Sequence, residues 1–342
     1  MNVRFRFFDF IIYCIIDRKL IRSLINSYEQ KKGNLVCFLK LNSRPLKKYF
    51  MKNILTIVII FTSLSINAQK AAYKIFEKGG KLSSYEDLYN SAVKQDVIMF
   101  GELHDDAIVH WLQYELTADL HKKSGRTLIL GAEMFEADNQ TILDEYLQGK
   151  IKERNFLDDA RLWSNYKTDY RALVEFAKEN KLPFIATNIP RRYAAMVNSG
   201  GFEALDNLSD QAKQWMAPLP PKYDPELSSY KKMLEMMNSS PGAGMKNRNI
   251  ENFPKAQAIK DATMAHFILK NFEKGKLFVH CHGAFHSDDY QGIVWYLKEK
   301  NKNLKIVTIS VSRQEDISKL DEEYLNRADF IIVVSDSMTK TH

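Results

Sequence analysis

The sequence predicts an α/β fold, a mostly parallel sheet flanked by helices, and three observations carry that prediction. Short apolar runs recur at 96–100, 127–131, 182–187, 276–280, 305–310 and 329–334. Several of them lack alternation, as strands buried on both faces do. Helical periodicity fills intervals between them, and strand, helix and strand in series require parallel pairing with crossover connections.

The first segment of the chain does not read as folded protein. Met51, Lys52 and Asn53 open a basic stretch, residues 54–66 are apolar apart from Thr and Ser, and Asn67-Ala68-Gln69 follows. This is the layout of a secretory signal over 51–68, with cleavage expected after Ala68. Its apolar core is shorter than the roughly 20 residues that span a bilayer, which favours removal over anchoring. Residues 1–50 carry no helix caps, and Asp9 interrupts their apolar patch, so they read as upstream translation or a non-native extension. Residues 69–342 then form a single α/β domain.

Charge agrees with this division. The whole chain has 49 Lys and Arg against 42 Asp and Glu. Setting aside the 12 basic and 3 acidic residues of the leader and signal leaves 37 against 39, a mature net charge of −2. That balance excludes nucleic acid as the expected partner. Of the three cysteines, Cys14 and Cys37 fall in the leader, which leaves Cys281 and no intrachain disulfide. No cysteine follows the signal core to form a lipobox, so the expected destination is soluble: periplasmic or secreted.

Along the mature chain, 107–121 has helical periodicity between the first two strands, and 170–180 forms a second helix before the third. Residues 189–254 contain no strand pattern. Pro218-Leu219-Pro220-Pro221 and the Ser/Pro/Gly-rich stretch at 238–244 punctuate a helical excursion there. Met233, Met236, Met237 and Met245 cluster within it, as adaptable packing or as a lid.

Polar residues concentrate where the strands end. After 96–100 comes Gly101-Glu102-Leu103-His104-Asp105-Asp106, in which Gly101 is expected to turn the chain and expose His104. After 127–131 come Glu133 and Glu136. After 276–280 come Cys281-His282-Gly283-Ala284-Phe285-His286, a second Gly-x-x-His arrangement. In a parallel sheet these loops share the carboxyl edge, where ligands collect. Buried carboxylates need partners, so Glu102 and Glu133 call for His, Arg or a metal.

Two chemistries fit. Glu102, His104, Glu133, His282 and His286 have the donor types for a divalent metal, which could activate a water. Without a metal, His104 or His286 could act as general base beside Glu133. His110 and Gln113 read as capping a solvated helix face, and His121 and His266 as ordinary surface or packing residues. Gln257 and Asp261 share a helix face at i, i+4 spacing and could reach the same site. Asn188 and the guanidinium groups of Arg191 and Arg192 end another strand, and either arginine could clamp a carboxylate.

Together Gly-Glu-x-His at 101–104, Glu133-Met134-Phe135, Asn188-x-Pro190-Arg191, Gln257-x-x-x-Asp261-x-x-Met264-Ala265 and Gly283-x-x-His286 resemble the ChaN-like haem-binding uptake proteins of the Tiki superfamily, relatives of TraB and erythromycin esterase. The resemblance runs from about Ile98 to Val334. It implies a cell-envelope protein associated with iron acquisition, whose ligand is haem or an iron complex, and a homodimer holding stacked haems. An outer-membrane uptake receptor is a candidate partner. The family's tyrosine ligation points to Tyr166 or Tyr170, with histidine around the propionates; Arg191, His104, His286 and Asp261 complete the expected haem-binding set. Elsewhere in the superfamily the same loops carry hydrolysis, and the corresponding residues here are His104, Glu133 and His286. A binding protein is the first expectation, and a peptide or ester hydrolase the alternative.

Overall fold

The computed structural model describes residues 71–239 and 250–342. The expected leader at 1–50, the expected signal at 51–68, residues 240–244 and Met245 lie outside the described residues.

Eight strands form one sheet: β1 (Tyr73–Glu77), β2 (Leu82–Ser83), β3 (Val97–Glu102), β4 (Leu128–Glu136), β5 (Phe184–Asn188), β6 (Leu277–Gly283), β7 (Ile306–Gln314) and β8 (Phe330–Ser335). Their spatial order is β2-β1-β8-β7-β3-β6-β4-β5. The six strands from β8 to β5 are parallel, and β1 adds antiparallel to β8 and to β2. The parallel α/β expectation therefore holds.

Two differences from the sequence reading have physical reasons. Strands β3, β4 and β6 run further than their apolar runs, through Glu102, Glu133 and His282, all buried. A periodicity rule stops at charged residues, but here the buried carboxylates are met by histidines from the loops and helix that follow: Glu102 by His104 and His110, and Glu133 by His286. The β1–β2 hairpin escaped notice because its strands are short and only partly buried. Its cue was Gly79-Gly80, with Gly80 at φ 81° in the turn, a conformation glycine adopts without steric cost.

Ten α-helices occur among the described residues: α1 (Tyr85–Ala92), α2 (Ala107–Lys123), α3 (Gln140–Leu147), α4 (Glu153–Asp159), α5 (Arg171–Glu179), α6 (Arg191–Gly200), α7 (Asp210–Lys213), α8 (Ser228–Ser239), α9 (Asn252–Asn271) and α10 (Ile293–Lys300). Helices α6, α7 and α8 make the excursion between β5 and α9. Among the described residues, no helix is long and apolar enough to cross a membrane.

Alternation along each strand sends side chains to opposite layers. Ile98 and Phe100 of β3 join Leu112, Leu116 and Leu120 of α2 in one core. Val97 and Met99 join Met264 and Ile268 of α9 and Ile293 and Leu297 of α10 in another. Each such fully buried side chain contributes about 1.5–3 kcal/mol by leaving water. Asp106 caps α2 by accepting from the backbone N–H groups of Ile108 (3.1 Å) and Val109 (3.3 Å), so the helix begins directly after the β3 loop.

Candidate functional site

Strand register builds the site. On β3 and β6, Gly101 lies opposite His282 and Glu102 opposite Gly283. On β4 and β6, Ala132 lies opposite Cys281, and Glu133 is the next residue of β4. Three adjacent strands thus deliver Glu102, Gly283 and Glu133 to one level of the carboxyl edge. Gly101 does not turn the chain, as was expected, but lies within β3. A Cβ there would stand 2.8 Å from both Ala284 Cα and Ile309 O, so glycine is required by close backbone approach.

Glu102 is fully enclosed and accepts from several donors. Tyr170 Oη donates to Oε1 at 2.8 Å and Gln113 Nε2 to Oε2 at 2.7 Å, while His104 Nδ1 lies 2.9 Å from Oε1. His110 Nδ1 stands 3.6 Å from Oε2. Burial works against the carboxylate, but the hydrogen bond from His104 and the charges of His110 and His104 outweigh it and hold Glu102 below its usual range. His110 and Gln113 are therefore buried partners of Glu102, not caps of a solvated face.

The His104 loop is fixed from three sides. Asn165 Nδ2 donates to the His104 carbonyl at 2.9 Å, and His110 Nε2 lies 3.2 Å from the same oxygen. Arg313 of β7 binds Asp105 and Asp106 at 3.0 Å each. Trp163 meets the His104 ring edge-on at 4.9 Å. The His104 side chain keeps 37% of its surface exposed. Burial lowers its pKa, yet the hydrogen bond and charge of Glu102, with the charge of Glu133, leave it raised.

His286 sits deeper, between two carboxylates. Its Nε2 is 3.1 Å from Glu133 Oε1, and its Nδ1 is 2.5 Å from Asp261 Oδ1. The Gln257 amide nitrogen lies 2.9 and 3.1 Å from the two ring nitrogens. Burial opposes the imidazolium, but Glu133 and Asp261 push its pKa up to about 10. Glu133 is held well below its usual range: burial is outweighed by His286, His104 and the Gly283 N–H, which donates at 2.9 Å. For Asp261, burial outweighs His286 and raises the carboxyl.

His280 and His282 form a separate buried pair with their Nδ1 atoms 3.1 Å apart. Thr187 Oγ1 donates to the Ala132 carbonyl at 2.9 Å, so His280 Nε2–H is the donor to Thr187 at 2.8 Å. His280 Nδ1 is then an acceptor from His282 Nδ1–H, which leaves His282 Nε2 with a buried lone pair. Among the described residues that atom has no hydrogen-bond partner. Burial and the charge of His286 push the His282 pKa down to about 4, so the ring is neutral.

The remaining expected residues lie apart from the Glu133–His286 pair. Arg191 is exposed at the start of α6, and Arg192 pairs with Asp138 at 2.7 Å. Tyr170 is spoken for by Glu102. Tyr166 packs edge-on against Phe135 and Phe156, and its buried hydroxyl has no hydrogen-bond partner among the described residues. Burial, with Glu102 beside Tyr170 and Tyr146 near Tyr166, raises both phenols and keeps them protonated. Among the described residues no group of three or more His, Cys, Asp or Glu is arranged to hold a metal ion; Glu102 pairs with His104, Glu133 with His286, and His282 with His280 instead.

Sequence reasoning passed over Arg313, Asn165 and Thr187, which orient the histidines. Each is an isolated polar residue in its own segment, and only the folded sheet edge gives it a role.

The geometry can be set beside known proteins. No curated protein matches the chain by sequence. Among solved structures, that of cofacial haem binding to ChaN of Campylobacter jejuni superimposes with a TM-score of 0.59 at 20% identity, covering 77% of this chain and 96% of that one. A succinoglycan biosynthesis protein gives 0.45 at 16% identity, covering 81% and 96%. A Bacillus cereus protein gives 0.44 at 13%, covering 74% and 92%. The first of these likenesses shows a shared fold. The model of the family described as haem-binding uptake, Tiki superfamily, ChaN matches residues 88–297, a span that holds β3 to β6 and both histidine loops, and the chain belongs to that family.

Proposed function

We propose that this protein binds haem and serves iron acquisition at the cell envelope. The observation that carries the reading is the family match over 88–297, which takes in the whole Glu102–His104–Glu133–His286 arrangement. The likeness to ChaN of Campylobacter jejuni, described with cofacial haems, supports haem as the ligand class and a paired assembly as the form that binds it.

Haem needs an apolar slot, cations for its propionates and an axial donor. The polar centre does not fit these needs. Its phenols are enclosed and protonated, and both His286 nitrogens are committed to carboxylates. On this reading the centre fixes the sheet edge and the loops around it, and haem is held elsewhere on the same domain.

Titration of the full-length protein with haemin, followed by visible absorbance, tests the proposal. A saturable Soret band at stoichiometric haem is expected, and its absence overturns the reading. Growth of a deletion strain on haem as sole iron source, with fractionation of the native host, tests the uptake role and the envelope location.

One observation favours a second reading, hydrolysis of a peptide or ester. His104 is partly exposed, its Nδ1 is 2.9 Å from a buried carboxylate, and a Cβ placed on Gly283 would meet its Nε2 at 2.8 Å and Glu133 Oε2 at 3.5 Å. An oriented imidazole facing a fixed carboxylate is suited to moving a proton to and from a reacting group. In this reading Glu102 fixes the ring, His104 exchanges the proton at Nε2, and His286 with the Gly283 N–H holds Glu133 ionised. Product release abolished by Glu133→Ala, in a protein that binds no haem, would place hydrolysis first.

A further inference from the structure

Lys340 and Thr341 lie against the loop that carries His104. The Thr341 N–H donates to the Asp105 carbonyl at 3.0 Å, and Lys340 makes an isolated antiparallel bridge with Asp106. Lys340 Nζ stands 3.0 Å from Asp105 Oδ2, while Arg313 of β7 holds Oδ1 of the same carboxylate at 3.0 Å. Burial works against the Asp105 carboxylate, but the hydrogen bonds and charges of Lys340 and Arg313 outweigh it and hold the carboxyl below its usual range.

The same two residues reach a second element. Thr341 Oγ1 donates to Asp169 Oδ2 at 2.8 Å, and Asp169 is buried in a single π-helical turn, Tyr166–Tyr170. Such turns are rare and recur at functional sites. This one ends on Tyr170, the hydroxyl donor to Glu102. Asn165, just before it, donates to Asp169 Oδ2 at 2.6 Å and to the His104 carbonyl at 2.9 Å. Trp163, edge-on to the His104 ring at 4.9 Å, lines a cavity of about 900 Å³ together with Tyr166 and Lys167. Trp163 is thus a wall that the cavity shares with His104.

We infer that Lys340 and Thr341 are positioning residues for His104, a polar clasp that ties the loop at 103–106 to the turn at 166–170. The inference goes beyond haem binding and holds for either reading of function. Gln113 of α2 and Tyr170 of the turn hold Glu102, whereas the ring that Glu102 meets hangs from the loop. Loop and turn must keep one spacing for His104 Nδ1 to stay 2.9 Å from Glu102 Oε1. The clasp sets that spacing through Asp105 on one side and Asp169 on the other. Its contacts named here are hydrogen bonds and one ion pair, and the Lys340 side chain is 60% exposed. Exposed ion pairs contribute little and weaken with salt, so the clasp is the part of the site that opens first.

The test compares full-length wild type with Lys340→Ala/Thr341→Val, with Thr341→Val alone, and with the conservative Lys340→Arg/Thr341→Ser. Proton NMR titration reads the His104 pKa, hydrogen exchange reads the amides of 103–110 and 165–170, and melting temperature checks folding. Glu102, Glu133 and His286 act on that pKa and are unaltered in every variant, so a change reports the place of the ring. In Lys340→Ala/Thr341→Val the His104 pKa is expected to fall from its raised value toward the ordinary one. Exchange in the two segments is expected to quicken roughly threefold or more, the scale of one lost hydrogen bond, while β4 and β6 keep wild-type rates. The arginine and serine replacements are expected to restore both readings. An unchanged His104 titration in Lys340→Ala/Thr341→Val overturns the clasp. Quickened exchange spread evenly through the sheet with His104 unchanged also overturns it, since that is a general loss of stability. Should the double variant not fold, Thr341→Val alone carries the test with the same outcomes.

Discussion

His286 Nε2 and Glu133 Oε1 meet at 3.1 Å although 153 positions of sequence separate them, and on the other side of the ring Asp261 stands 2.5 Å from Nδ1. Both nitrogens face carboxylates, whose charges push the ring's pKa up to about 10 and favour an imidazolium held between them. Neither a metal nor a substrate proton finds a lone pair there. Of the two histidines, His104 is the one that is partly exposed, and Glu102 backs its ring at 2.9 Å.

The protonation of His286 links stability to pH. Its pKa in the fold is raised from 6.5 to about 10, so its contribution is whole below pH 6.5, declines as pH rises from there and is gone above about 10. The pKa of Glu133 is lowered from 4.5, so its contribution is whole above pH 4.5 and is lost as pH falls. The melting temperature is expected to fall between pH 7 and pH 10. Nitrogen NMR at pH 8 should show both ring nitrogens of His286 protonated; a neutral ring at that pH contradicts the bracketed imidazolium.

Glu133→Ala removes one of two carboxylates from a buried cation. Breaking a buried pair from one side costs about 3–5 kcal/mol. The low end, about 3 kcal/mol, is expected here because Asp261 still pairs with the ring. Urea unfolding measures it, and a loss under about 1 kcal/mol would mean that Glu133 is not the partner that holds His286.

The sheet was largely legible because six strands buried on both faces leave continuous apolar runs that no surface segment imitates. The site was legible only in outline. Gly101, Glu102, His104, Glu133 and His286 lie at or just beyond the carboxyl parts of their strands, and parallel topology brings those parts together. What pairs with what was not legible: Tyr170 reaches Glu102 across 68 positions and Asn165 reaches His104 across 61. His110 read as solvated since α2 carries polar residues around much of its surface, yet the strand end beside it supplies a buried carboxylate. The short β1–β2 hairpin depends on pairing with β8, a contact absent from its own residues.

The two site glycines should respond differently to alanine. At Gly101 the added methyl meets backbone on both sides at 2.8 Å, and the turn at Ala284 after β6 and strand β7 at Ile309 would have to move. A cost of about 3 kcal/mol or more is expected, at the upper end for overpacking. At Gly283 the methyl meets the His104 ring at 2.8 and 2.9 Å, a side chain with room to swing outward. Gly283→Ala should cost under about 1 kcal/mol in urea unfolding, while proton NMR shows the His104 pKa falling toward its ordinary value as the ring leaves Glu102. Equal destabilisation by both would show that the His104 ring cannot yield.

Tyr166 and Tyr170 are both buried, but their hydroxyls differ in what they lose as phenylalanine. Tyr170 Oη donates to buried Glu102 at 2.8 Å, so Tyr170→Phe removes a hydrogen bond to a charged group and strips Glu102 of one donor. The expected cost is about 1.5–3 kcal/mol. The Tyr166 hydroxyl is buried without a partner among the described residues, so deleting it removes a desolvated polar atom and no hydrogen bond. Tyr166→Phe is expected to be neutral or slightly stabilising. Paired thermal melts of the two variants at pH 7 measure the difference, and at that pH wild-type Glu102 is ionised, since His104 and His110 hold its pKa down. A Tyr166→Phe protein destabilised as much as Tyr170→Phe would mean that the Tyr166 hydroxyl has a partner, and it would return that tyrosine to consideration as a ligand-binding group beside the 900 Å³ cavity.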